Sequence, residues 1–300
     1  ENMAVKTVKA SINGQEYNLT YDESSGSYKA TITAPSKSSY NNNDGHYYPV
    51  SVTATDDAGN STTVTDTNTT FGDDLKLKVK EKVKPTIAVT YPTDSATITS
   101  ATPTITWTVT DDDSGIDEAT IAIKIDSGTY VTSGITTTAT TKGFNCSYKV
   151  PTSLSNGAHS FSLKVSDHDG NAATEVVTSF TVDTVPPALT ITSPADGLIT
   201  NEESLTVSGT TNDVTSTPVT ITVNGTPVTV QSNGSFTTTI TLRSGANTIT
   251  VVATDAAGLK TTITRTVTLD TGAPVFQEIS IIPNPVDAGK TYVISVKVTD

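Results

Sequence analysis

The sequence predicts an all-β chain: a tandem series of β-sandwich domains in a linear, rod-like array. Three observations predict it. A strand-and-turn unit recurs three times in ungapped register. Thr, Val, Ile and Ser dominate while aromatic residues are few, and β-branched residues favour pleated, half-buried surfaces. No window sustains an apolar period of 3.6, so almost no helix is expected.

The repeated unit is an alternating strand that runs into an Asp/Gly turn. Its copies are Val50–Asn60, Phe161–Asn171 and Ile249–Leu259. Apolar residues at every second position mark a half-buried strand, because strand side chains alternate between faces. Asp56, Asp167 and Asp255 can each bond their own backbone at the start of a turn, and the following Gly takes φ > 0 without steric cost.

The 300 residues and the repeat together suggest three or four domains of roughly 85–110 residues, each large enough for one core. The formal charge of −13 argues against nucleic acid and anionic lipid as partners, since phosphate binding needs clustered Lys and Arg. It suits divalent cations wherever carboxylates converge, and Asp111, Asp112, Asp113 and Asp117 are the densest cluster. Cys146 is the only cysteine and reads as a small buried hydrophobe on the face of Phe144 and Tyr148. No apolar run is long enough for membrane insertion. Met3 is the only methionine. Read as a start, it implies no cleaved export signal.

Taken in order, residues 1–84 form the first domain. Val5–Ile12 is a strand, Asn13-Gly14 a hairpin turn, and further strands pass through Tyr17, Leu19 and Tyr28–Ile32. The Asn-rich loop Ser36–Gly45 (Asn41, Asn42, Asn43, Asp44) is expected to be its least constrained surface and a candidate for contacts. Leu75–Lys82 alternates as a strand with a basic outer face. Residues 85–184 form the second domain, with inward rows Ile87/Val89/Tyr91 and Ile105/Trp107/Val109. Trp107 is expected in the core. Asp111–Asp117 is a loop, followed by strands at Ile121–Ile125, Phe144–Val150 and Val176–Val182. Asp183–Pro187 is a linker stiffened by proline. Residues 185–271 repeat the pattern, with hairpins at Asn224-Gly225 and Asn233-Gly234. Residues 272–300 supply the opening strands of a further domain.

The two ends are out of phase. The first domain matches the third only from about Val219 onward, so it lacks two opening strands, which are all that residues 272–300 provide. A chain cut from a longer array explains this. Head-to-tail self-association, in which one chain completes the next, is the alternative.

The segments Thr55–Asn60, Thr254–Gly258, Asp183–Pro187 and Asp270–Pro274 resemble those of tandem bacterial immunoglobulin-like repeats. These occur in surface adhesins and in phage tail or virion proteins. The first domain resembles Ig-containing proteins from prophage regions of gut Firmicutes. The resemblance implies a seven-strand Greek-key sandwich per domain. It also implies structural calcium between domains, which nominates linker acids Asp183 and Asp270 with loop partners Asp111, Asp113, Asp167 and Asp169. The first boundary departs from the pattern, because Glu81 replaces Asp and Lys82 and Lys84 flank it. Calcium is therefore least expected there.

No catalytic constellation is evident, and no enzyme activity or other cofactor is expected. His159 and His168 bracket one strand and lie roughly 25–30 Å apart along it. Asp167-His168-Asp169 occupies a hairpin turn. The expected function is extracellular-facing display or adhesion, on a phage virion, spacing or binding surface carbohydrate or protein through loops that include Asp112, Asp117 and Asn41–Asp44. The alternatives are a bacterial cell-surface adhesin for host glycans or host proteins such as immunoglobulin, and an accessory module of a carbohydrate-active enzyme.

Overall fold

In a computed structural model, which describes residues 4–300, the chain separates into two compact units that divide between Val182 and Asp183. The first unit opens with β1 (Val5–Ile12), β2 (Gln15–Asp22), β3 (Ser27–Lys29), β4 (Tyr48–Asp56) and β5 (Ser61–Val64). A 3-10 turn at Asp73–Leu75 and the short β6 (Lys76–Leu77) follow. All six strands share one sheet, in the order β3-β2-β1-β4-β5 with β6 on β4. The Asn13-Gly14 hairpin has φ of 50° and 77°, the left-handed pair that a tight hairpin turn requires. Val8, Ala10 and Ile12 form the buried row of β1, and Tyr48 is buried on β4. The outward rows carry hydroxyl ladders, with Thr53 bonded to Thr63 at 2.8 Å and Thr55 to Ser61 at 2.7 Å.

The same unit continues with β7 (Thr86–Tyr91), β8 (Ala96–Ile98), β9 (Thr104–Thr110) and β10 (Ile116–Ile125). Then come β11 (Ile135–Thr140), β12 (Gly143–Lys149), β13 (Gly157–Asp167) and β14 (Val176–Val182). They make two four-stranded sheets, β10-β13-β14-β8 and β11-β12-β9-β7. Ile105, Trp107 and Val109 from one sheet meet Ile123, Phe161, Leu163 and Phe180 from the other in a single core. Cys146 is buried in that core, and burial pushes its thiol up to about 11, which leaves it inert at neutral pH.

The second unit repeats the design. Its strands are β15 (Ala188–Ser193), β16 (Leu198–Thr200), β17 (Ser204–Asn212), β18 (Thr220–Val223), β19 (Thr226–Val228), β20 (Ser235–Thr241), β21 (Gly245–Thr254) and β22 (Lys260–Leu269). Sheets β15-β17-β20 and β16-β22-β21-β18-β19 enclose Val207, Phe236, Ile249, Val251 and Val267. A separate hairpin, β23 (Val275–Ile282) with β24 (Val293–Thr299), follows. Phe276, Ile279, Ile294 and Val296 on it are exposed.

The Pro-Xaa-Asp segments at Pro92–Asp94 and Pro194–Asp196 are more than turns. In both sandwiches the opening strand breaks there and crosses to the other sheet: β7 pairs with β9 while β8 pairs in parallel with β14, and β15 pairs with β17 while β16 pairs in parallel with β22. The Asp carboxylate holds the crossing by accepting the backbone N–H of Ser179 (3.0 Å) or Thr266 (2.7 Å).

The expected strand at Leu75–Lys82 is confined to Lys76–Leu77. Beyond it the backbone is tied by one residue, Ser39, instead of a ladder. Ser39 donates to the Val79 carbonyl from its N–H (2.9 Å), and the Val79 N–H donates to Ser39 Oγ (3.1 Å).

Candidate functional site

The three organising turns behave as their residues dictate. Asp56, Asp167 and Asp255 each accept the backbone N–H of the residue four positions on at 2.8–2.9 Å. The glycines three positions after them have φ of 86–92°. In each aspartate this bond uses Oδ1. In the second and third copies the aspartate also belongs to a buried acidic group, and Asp167 Oδ2 accepts from Asn171 Nδ2 at 2.7 Å.

Glu81, Asp111 and Asp167 form the first group. Asp183, Asp213 and Asp255 form the second. In each, one oxygen per residue lies within 4.8 Å of the others, and every member is 8% exposed or less. The backbone fixes the carboxylates from one side. Asp111 Oδ1 accepts the N–H groups of Asp113 (3.0 Å) and Gly115 (2.7 Å), Asp183 Oδ1 that of Val185 (3.1 Å), and Asp213 Oδ1 those of Thr215 and Ser216 (2.7 and 2.6 Å). Glu81 Oε2 accepts the Val83 N–H at 2.7 Å and Oε1 the Ser114 hydroxyl at 3.1 Å.

The charge is left uncompensated. The ion pairs among the described residues engage other acids, such as Asp112 with Lys142 at 2.6 Å. Two carboxylates 4.8 Å apart repel by about 3 kcal/mol at an effective dielectric of ~20. Burial raises the Glu81 pKa. The Val83 N–H opposes that rise, and the charges of Asp111 and Asp167 add to it. Asp111 Oδ2, Asp183 Oδ2 and Asp255 Oδ2 are buried without any hydrogen-bond partner, although buried polar atoms are normally satisfied. An all-oxygen donor set with unspent lone pairs fits a hard cation such as calcium.

Only some of the nominated metal residues converge. Asp111, Asp167 and Asp183 do, each in a triad. Asp113 faces the first sheet, where its Oδ2 accepts the Ser38 N–H at 3.0 Å. Asp169 accepts the Glu81 N–H at 3.0 Å. Asp270 is exposed and bonds the Gly272 N–H at 2.9 Å. Glu81 sits inside a triad while Lys82 and Lys84 point outward, so the departure that argued against this boundary does not keep its acid out. Asp213 and Asp255 were not nominated. Asp255 had a signal, since it matches Asp167 in the repeated turn.

The nominated contact loop is not free either. Asn41 Nδ2 donates to the Asp113 carbonyl (2.6 Å), and Asn42 and Asn43 both donate to the Tyr47 carbonyl (2.8 Å each). Tyr40 is stacked between His46 (4.0 Å) and His168 (3.9 Å) with the rings within 7° of parallel. The loop thus docks the first sheet onto the turns of the following sandwich. Asp44 and Asp112 remain exposed, and Asp117 is half-buried. Truncating Tyr40 to alanine is expected to cost about 1–2 kcal/mol and to speed amide hydrogen exchange selectively across residues 36–46. Unchanged exchange there would show the stack to be incidental.

The histidines are spent on structure. His46 and His168 flank Tyr40, and His159 bonds Asp126 Oδ2 through Nδ1 (2.8 Å) and the Ser155 carbonyl through Nε2 (2.9 Å).

Family models match three stretches of the chain. The model described as bacterial Ig-like domain matches residues 2–73, bacterial Ig domain matches 85–163, and glucodextranase domain B matches 187–271. The chain is a tandem array of bacterial immunoglobulin-like domains. Bacillopeptidase F of Bacillus subtilis (strain 168) is 31% identical to the array over 122 residues, 41% of this chain, and the chain spans 8% of that protein's length. Fibronectin(III)-like modules of Clostridium thermocellum CbhA share 15% identity over 62% of this chain and 94% of theirs, with a TM-score of 0.39. An I-band fragment from titin shares 13% over 89% of this chain and 88% of its own, with a TM-score of 0.41. Such repeats are consistent with a non-enzymatic protein displayed outside the cell. No described helix is long and apolar enough to cross a membrane.

Proposed function

We propose that this Ig-like array is a non-catalytic display segment of a phage virion, which spaces or presents a binding surface toward carbohydrate or protein. The docked junction in the first unit carries this reading. Two β-bodies are joined by the Tyr40 stack and by backbone bonds at Asp113 and Asp169, so the connection transmits position instead of swinging. Fixed position is what a spacer requires. Polar loop surfaces and an acidic charge suit weak, repeated contacts that gain by multivalency.

A second reading is favoured by the likeness to bacillopeptidase F and to glucodextranase domain B: the array as a bacterial surface or secreted segment. Immuno-electron microscopy on the source culture after prophage induction, with antibody to residues 85–270, separates the two. Label on phage particles supports the virion reading. Label confined to cell walls or to a secreted protein overturns it.

A further inference from the structure

We propose that Glu81–Asp111–Asp167 and Asp183–Asp213–Asp255 are two equivalent sites for a divalent cation of calcium type. This stands whether a virion or a cell carries the array.

The case rests on chemistry the two triads share. Each draws one acid from the segment entering a sandwich (Glu81 or Asp183), one from just past its second long strand (Asp111 or Asp213), and one from its organising turn (Asp167 or Asp255). The donors are all oxygen, which selects hard ions over zinc or copper. Backbone N–H groups hold Oδ1 of each aspartate, and Asp167 Oδ2 also accepts from Asn171 Nδ2 at 2.7 Å, while the second oxygens of three others are unspent. Those three oxygens, on Asp111, Asp183 and Asp255, are fully buried and have no partner. Ion–oxygen distances of about 2.4 Å let ligands lie up to about 4.8 Å apart, and each triad lies within 4.8 Å. Magnesium holds its ligands at about 2.0–2.1 Å and keeps its waters, so a buried, carboxylate-rich pocket suits it less.

The first site also has a structural reach. The Glu81 N–H is held by Asp169, the Glu81 carbonyl accepts from Asn171 Nδ2 (3.2 Å), and Asp111 positions Asp113 beneath Ser38. A cation there pins the segment and both turns on which the Asn-rich loop rests.

The test uses the full chain, stripped with chelator and titrated with calcium chloride alone, by calorimetry and by thermal unfolding. Two bound ions per chain are expected, with a rise in melting temperature of about 5 °C or more at a hundredfold excess over Kd. Glu81→Gln and Asp183→Asn should each abolish one ion. Asp270→Asn, outside both triads, should keep two. Without calcium, Glu81→Gln should melt no lower than wild type, because it removes a repelling charge. The proposal is overturned by any of three results. These are no heat and no thermal shift up to about 10 mM, above the weakest range usual for extracellular calcium modules; equal binding in Glu81→Gln, Asp183→Asn and wild type; or tighter binding of magnesium than of calcium.

Discussion

Replacing Trp107 with alanine is expected to destabilise its sandwich by about 3–5 kcal/mol. The indole is 1% exposed at the middle of β9, paired in register with Val89 on one side and Cys146 on the other. Phe161, Phe180, Leu163 and Ile123 belong to the same core, so the neighbours are anchored on strands and cannot collapse into the space. A urea titration followed by circular dichroism should show the midpoint of this domain falling with an unchanged slope. The sandwich of the second unit has its own core and should keep its transition. A loss below about 1 kcal/mol would mean that the indole is not the keystone its burial indicates.

The second large effect is expected at Gly209, where alanine should cost about 1–3 kcal/mol and valine more. A Cβ there would lie 2.2 Å from the Thr190 carbonyl oxygen and 2.7 Å from the Phe236 ring. The carbonyl belongs to the β15–β17 ladder, in which Leu189, Thr190 and Ile191 pair with Thr211, Thr210 and Gly209. It cannot retreat without opening that ladder. Phe236 faces Gly209 across β20 and is itself buried. Urea unfolding measures the loss. Hydrogen exchange should locate it in β15 and β17, and uniform exchange across the unit would contradict the contact argument.

The fold was legible because its signals are local. Alternation marks the strands, Asn-Gly the hairpins, and Asp followed by Gly the turns. The sites were half legible for a reason of parity. The inward row Ile105, Trp107, Val109 continues to Asp111. Phe161, Leu163, Val165 continues to Asp167, and Ile249, Val251, Ala253 to Asp255. An acid that extends an apolar row past the strand end is carried to the core face and buried. The family resemblance, carried over by loop position, does not make that distinction: it nominates Asp113 and Asp169 beside Asp111 and Asp167 and omits Asp255. The docking of the Asn-rich loop had no local signal. Asn41 meets Asp113, and Glu81 meets Asp169, across 72 and 88 residues of chain, and polar loop composition reads the same whether its amides face water or a neighbouring turn.

The hydroxyl ladders on the outward faces, continued in the second unit by Thr192 with Ser208, have a consequence for survival in protease-rich fluid. Threonine occupies outward positions where a soluble sheet often carries lysine. Between Lys164 and Arg243 the sequence has neither Lys nor Arg. That span includes the exposed linker positions Thr184, Val185 and Pro186, the kind of connection at which tandem domains are usually nicked first. A trypsin-like enzyme finds no bond to cut there, even in chains that breathe. The link between the second and third domains thus offers a trypsin-like enzyme no site by its composition alone.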